Sequence, residues 1–178
     1  MILLVGLGNP GTKYENTRHN AGFLAIEHLT NKFSFDKKSD KFDSDFFSGE
    51  ISSKKIIAIK PQSFMNLSGS AVQKFSTFYK IPTDKIFVFH DEIDLKIATH
   101  KIKFAGGNAG HNGLKDIDSK IGKNYHRIRI GVGRPEDARF EISDYVLGKF
   151  SLAERDAIDQ QIINITNNIE NILAPSSI

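Results

Sequence analysis

The stretch that most limits what this chain can fold into lies at its start. Ile2-Leu3-Leu4-Val5 is an unbroken apolar run, and Gly6-Leu-Gly-Asn-Pro-Gly11 comes directly after it. Apolar residues closed by glycines predict a buried strand ending in a tight turn. Residues beyond such a turn sit at the strand's carboxyl end, the edge where open α/β sheets hold their ligands. Asn9 and His19 are therefore the first site candidates.

Gly6, Gly8 and Gly11 also satisfy G-x-G-x-x-G, the spacing of a dinucleotide-binding turn. Two features speak against that use. In the fingerprint the third glycine already lies in the helix, whereas polar Thr12 to Asn16 intervene here and Pro10 stiffens the turn. The acidic end of a second strand, due about twenty residues on, falls in Lys32 to Asp40, which is too charged and broken for a buried strand.

The rest of the chain alternates strands and helices. A helical stripe runs from Ala21 to Phe33, entered near Thr17, and a polar, aspartate-rich stretch spans Asp36 to Asp45. Phe46 to Ile51 and Lys55 to Ile59 read as a hairpin. After Asn66 comes a helix with Leu67, Ala71, Val72, Phe75, Phe78 and Tyr79 on one face, ended by Ile81-Pro82. Ile86 to Phe89 reads as a central strand covered on both faces, delivering His90, Asp91 and Glu92 at its end. Ala98 to Phe104 suits a strand with a wet, basic face, and a glycine loop at 106–113 leads into a helix over Leu114 to Ile121. Tyr125 to Val132 alternates, so Arg127 and Arg129 form a second basic row opposite Ile128 and Ile130. Ser151-Leu-Ala-Glu154 is a capping box opening a long helix with Ile158, Ile162, Ile165, Ile169 and Ile172 as its buried stripe. The expected architecture is one α/β domain over residues 1–178, three-layered, with a mixed β-sheet flanked by helices.

Composition narrows the function classes. No apolar run approaches the roughly 20 residues of a membrane span, and no basic region precedes the short N-terminal run, so a cytoplasmic protein is expected. Without cysteine there are no disulfides, thiolate metal sites or cysteine nucleophiles. The formal charge of +3 is unevenly placed: Leu95 to Arg134 holds nine Lys or Arg against two Asp, a net +7, and the remainder carries −4. Such a stretch suits a phosphate-rich partner or a solvated basic face.

His19 and Asp91 come from two predicted strand ends, an imidazole and a carboxylate fit to act as a general base and its orienter. The bland reading is a turn histidine and a loop-capping aspartate. No nucleophile-elbow serine motif is present, which leaves water as the nucleophile. His90, Asp91, Asp94 and His111 are available to a metal, but their spacing matches no metal motif. Asn9, Asn66 and Asn112 are neutral amides suited to a peptide main chain or a polarised carbonyl, or else turn and cap residues.

Gly6 to Gly11 with Tyr14, Thr17-Arg-His-Asn-Ala-Gly22, Lys60-Pro with Phe64-Met-Asn-Leu-Ser-Gly69, His90 to Leu95, Gly110-His-Asn-Gly-Leu114 and Arg127-Ile-Arg-Ile-Gly131 together closely resemble the bacterial peptidyl-tRNA hydrolases. The resemblance implies a monomeric, metal-independent esterase without a cofactor or obligate protein partner. Its substrate would be peptidyl-tRNA, cleaved at the ester to the 3′ ribose so that tRNA is recycled from aborted translation. By the same resemblance His19 is the base, Asp91 its orienter, and Asn9, Asn66 and Asn112 bind peptide, carbonyl or water. Tyr14, Phe64, Met65, Gly110 and His111 shape the channel, and Lys103 and Arg129 grip the tRNA near its 5′ phosphate. The chain departs from the family pattern at Asn108-Ala109, where relatives are richer in Gly, Ser or His. The rivals are an RNA-binding relative without hydrolase activity, a dinucleotide-dependent oxidoreductase and a small metallohydrolase.

Overall fold

The N-terminal apolar run becomes the middle of the sheet. In the computed structural model, which describes residues 1–174, strand β1 (Ile2–Gly6) is buried along its whole length. Helix α1 (Ala21–Lys32) comes next, then β2 (Asp36–Lys41), β3 (Ser44–Ile51), β4 (Lys54–Pro61), α2 (Ser68–Phe78), β5 (Ile86–Glu92), β6 (His100–Phe104), α3 (Asn112–Ile121), β7 (His126–Gly131), α4 (Ile142–Leu147), α5 (Leu152–Asn167) and α6 (Ile169–Ile172). The strand order is β2-β3-β4-β1-β5-β7-β6. β4, β1, β5 and β7 run parallel, while β2, β3 and β6 pair antiparallel at the two sides, so the sheet is mixed as expected.

Two apolar cores flank it, which gives the three layers. On one face Ala25, Ile26 and Leu29 of α1 and Ile158, Ile162 and Ile165 of α5 cover Leu4, Phe87, Phe89, Ile128 and Ile130. On the other, Ala71, Val72 and Phe75 of α2 and Leu114 and Ile117 of α3 cover Leu3, Val5, Ile59 and Val88. Each of the Val, Leu, Ile and Phe side chains among them, taken fully out of water, contributes about 1.5–3 kcal/mol. Two positions depend on glycine, one for close approach and one for its backbone angle. A Cβ at Gly22 would lie 2.2 Å from the Phe89 carbonyl oxygen, so α1 can lie on the sheet only without one. Gly11, at φ +98°, turns the chain where an L side chain is strained.

Several expectations need correction. The charged stretch after Lys32 is not a buried strand, but Asp36–Lys41 does pair with β3 as an exposed edge, where Lys37, Lys38 and Lys41 discourage pairing with another chain. Leu67 and Phe78 do not join the buried face of α2; they are 52% and 59% exposed. Leu67 belongs to the 3₁₀ turn before the helix, and the Phe78 ring lies under the Lys41 ammonium, 3.5 Å from its centroid. The capping box at Ser151 and Glu154 forms, but α5 ends at Asn167, so Ile169 is buried from the separate turn α6 and Ile172 is only partly covered. Arg127 does not form an exposed row with Arg129, being 2% exposed and paired with Asp118 at 3.0 Å. No helix among the described residues is long and apolar enough to cross a membrane.

Candidate active site

The carboxyl ends of β1 and β5 lie side by side, with Gly6 in register with Phe89. That register brings the turn after β1 next to Asp91. The turn does not deliver a helix N-terminus, as a dinucleotide fingerprint would: two 3₁₀ turns, Thr12–Tyr14 and Arg18–Asn20, come first and α1 starts only at Ala21.

His19, in the second of those turns, places Nδ1 2.8 Å from Asp91 Oδ2. His111 approaches the same carboxylate from the opposite side, with Nε2 2.7 Å from Oδ1. The protons follow from the other contacts. His111 Nδ1 accepts the Gly113 and Leu114 main-chain N–H groups and caps α3, so the proton of its neutral ring sits on Nε2 and is donated to Asp91. Asp91 also accepts a hydrogen bond from the Nδ1–H of His19, which leaves His19 Nε2 as that ring's free lone pair. Burial works against the charged form of His19, but the charge and hydrogen bond of Asp91 more than offset it, and its pKa lies above the ordinary 6.5. Burial likewise opposes ionisation of Asp91, yet the two imidazoles hold it well below the usual carboxylate range.

His90 is separate from this triad. Its Nδ1 donates to the Asp91 carbonyl at 2.8 Å, and burial, then the neighbouring His111, push its pKa down to about 3, so it stays neutral. Asp94 pairs with Arg134 at 2.6 Å. The four residues available to a metal in the sequence are therefore not gathered. A different trio is: ligand atoms of His19, Asp91 and His111 lie within 4.8 Å of one another. Their chemistry is that of a hydrogen-bond triad, because the ring nitrogens facing Asp91 carry protons and lone pairs are what a metal needs.

The triad opens into a cavity of about 670 Å³. Asn9, Tyr14, His19, Phe64, Met65, Asn66, Asp91, Gly110, His111 and Asn112 all line it, so the structure brings together every expected catalytic and channel residue. Asn9 is held in two ways. Asn20 clamps its backbone, accepting its N–H at 2.8 Å and donating Nδ2 to its carbonyl at 3.0 Å, and Asn9 Oδ1 accepts the Met65 N–H at 2.7 Å. With its oxygen engaged, the Asn9 side chain has its NH₂ group to offer the cavity. Phe64 and Tyr14 meet edge to face at 6.3 Å on the wall.

Residues 3–177 match the sequence model of the family described as peptidyl-tRNA hydrolase. The chain belongs to that family. It is 50% identical to the peptidyl-tRNA hydrolase of Rickettsia bellii (strain RML369-C) and 51% identical to that of Rickettsia prowazekii (strain Madrid E), each over 97% of this chain and 94% of the relative. The crystal structure of peptidyl-tRNA hydrolase from Acinetobacter baumannii is 40% identical and superposes with a TM-score of 0.92, over 97% of this chain and 88% of that one.

The two residues that the family resemblance points to for tRNA lie away from the cavity lining. Cross-strand register pairs Lys103 with Arg127 and Lys101 with Arg129, so all four project from one face of the β6–β7 edge. Lys103 is exposed, whereas Arg129 is partly covered and donates Nε to Glu92 Oε1 at 2.8 Å.

Sequence reasoning passed over two parts of the site. One is α4, whose Ile142, Val146 and Leu147 form the far wall. Six residues make under two helical turns, too few for a periodic signal. The other is the pair flanking His19. Asn20 is the clamp on Asn9, and Arg18 donates to the Tyr145 carbonyl at 3.1 Å and to Glu154 at 3.1 Å, fastening α4 and α5 to the turn that carries His19. Both lie inside the Thr17 to Gly22 block, so their position was visible and their partners were not.

Proposed function

We propose that the chain hydrolyses the ester of peptidyl-tRNA with His19 as general base and Asp91 as its orienter. The observation that carries this reading is the commitment of His19 Nδ1 to a buried carboxylate, which leaves Nε2 as the free base in a cavity lined by amides. Nε2 takes a proton from water, and the hydroxide attacks the ester carbonyl carbon. The oxyanion of the tetrahedral intermediate is met by side-chain amide donors, Asn9 foremost. On collapse the ribose 3′ oxygen leaves with the proton held on His19. Asn66 and Asn112, exposed on the cavity wall, are suited to the peptide main chain.

The same geometry favours a blocked amine. Of the carboxylates lining the cavity, Asp91 is occupied by two imidazoles and Glu92 by Arg129, so a free α-ammonium finds its counter-charge only at Glu141. Beyond reach of Glu141, a charge taken from water stays unpaired and is penalised. Lys103 and Arg129 would hold tRNA phosphate, a reading supported by their shared face on the β6–β7 edge within the +7 stretch. All groups of the triad come from one chain, which supports action as a monomer, and a substrate made by translation points to the cytoplasm.

The test is cleavage of N-acetyl-aminoacyl-tRNA by wild type and His19→Ala. Loss of about 10²–10⁴-fold in kcat is expected, the usual contribution of a general base. Wild-type turnover by the variant would remove His19 from the mechanism.

A further inference from the structure

Arg127 is the largest of the fully buried side chains, and the hydrolysis described above makes no use of it. A cation placed there needs partners. Nη2 donates to Asp118 Oδ1 at 3.0 Å and to the Tyr125 hydroxyl at 3.2 Å, and that hydroxyl donates to the same carboxylate oxygen at 2.8 Å. Nη1 reaches elsewhere, donating to the carbonyls of Ala105 at 3.2 Å and Gly107 at 2.7 Å. Asp118 reaches the same segment through its second oxygen, which accepts from Asn108 Nδ2 at 3.3 Å. Asn108 in turn accepts the Gly110 N–H on its side chain at 3.0 Å and the His111 N–H on its main chain at 2.9 Å. Thus the contacts that leave the ion pair converge on residues 105–108, and Asn108 passes them to His111.

That segment needs support. Ala105, Gly106, Ala109 and Gly110 all have positive φ, and for the two alanines this is a strained backbone that persists only where surroundings enforce it. Immediately after it stands His111, 2.7 Å from Asp91. We propose that Arg127 and Asp118 are positioning residues: their buried ion pair is a strut that holds the 105–110 loop in its strained path and so keeps His111 on Asp91. The proposal rests on the reading of His19 and Asp91 as the reacting pair. It also gives Asn108 a role, as the loop's own tie to the strut.

Two variants test this. Arg127→Met removes the strut, and Asn108→Ala cuts the loop's tie while leaving the ion pair and core intact, so it decides the matter if the first variant does not fold. Each is examined by long-range ¹H–¹⁵N imidazole spectra and by steady-state hydrolysis of N-acetyl-aminoacyl-tRNA. Wild-type His111 is expected to show its proton on Nε2 with Nδ1 as an acceptor. In both variants the ring should move toward the tautomer mixture of a solvated histidine, while kcat falls by about tenfold for Arg127→Met and less for Asn108→Ala and KM stays within about twofold. An unchanged His111 tautomer in both variants would overturn the strut, and a shifted tautomer with wild-type kcat would overturn its part in the reaction. The spectra need no turnover, so an active His19→Ala enzyme would sink the water-activation reading separately.

Discussion

Two loops reach the same carboxylate, and they are held in opposite ways. The 6–20 turn brings His19 to one oxygen of Asp91 on a path whose left-handed positions are Gly11 and Asn16, residue types that tolerate that conformation, and its buried amides satisfy one another through Asn9 and Asn20. The 105–111 loop brings His111 to the other oxygen on a path that puts two alanines at positive φ, and it leans on an ion pair buried below it. The difference teaches that a reactive geometry can be built from locally compatible residues or imposed on incompatible ones by a distant support. The proposed base, His19, comes from the first kind of loop, and the second supplies the hydrogen bond from His111 that completes the carboxylate's shell.

The comparison can be broken in order of effect. Asn20→Ala leaves the buried N–H and carbonyl of Asn9 without partners, each of which costs about 1–3 kcal/mol when orphaned. Urea unfolding should show a loss of about 2–6 kcal/mol for the two groups together, with kcat reduced by about tenfold or more as Asn9 loosens; wild-type kcat would mean that the clamp is dispensable. His111→Ala removes the α3 cap and one donor to Asp91, and its thermal unfolding should report a cost of about 1 kcal/mol, smaller than for Asn20. A sharper contrast comes from exchanging the backbone chemistry of the loops. Gly11→Ala, at a corner with open space around it, should cost about 1 kcal/mol, whereas Ala109→Gly should gain up to about that amount by relieving its φ of +49°. Equal signs for the two would erase the distinction. Least of all, Lys103→Ala and Arg129→Ala should leave kcat at saturation unchanged and each lower the salt slope of tRNA binding by about one phosphate contact. An unaltered slope would place the RNA elsewhere.

The part of the molecule that was legible in the sequence divides along the same line. The β1 run and its glycines announced a strand, a turn and a ligand edge, because local chemistry decides all three. His19, Asp91 and the asparagines could be marked as candidates, and the family blocks assigned them roles, yet no spacing rule foretold that His111 would share Asp91 with His19, since that contact depends on the packing of α3 against the sheet. Arg127 was misread for a related reason. Strand alternation put it correctly on the face of Arg129, but whether that face is wet at a given row depends on Asp118 and Tyr125 arriving from elsewhere. β2 and α4 escaped notice because an exposed edge strand and a six-residue helix carry little apolar periodicity.

The central claim, that a buried carboxylate holds His19 ready to take a proton at Nε2, is tested most directly by the pH dependence of kcat/KM for wild type and Asp91→Asn. Activity needs neutral His19, so it should fall as pH drops through a pKa that Asp91 keeps above 6.5. Without the carboxylate's charge, burial alone acts on the ring, so the acid limb should move below 6.5 while the plateau drops by about 10³-fold. An acid limb at the same pH in both proteins would contradict the account.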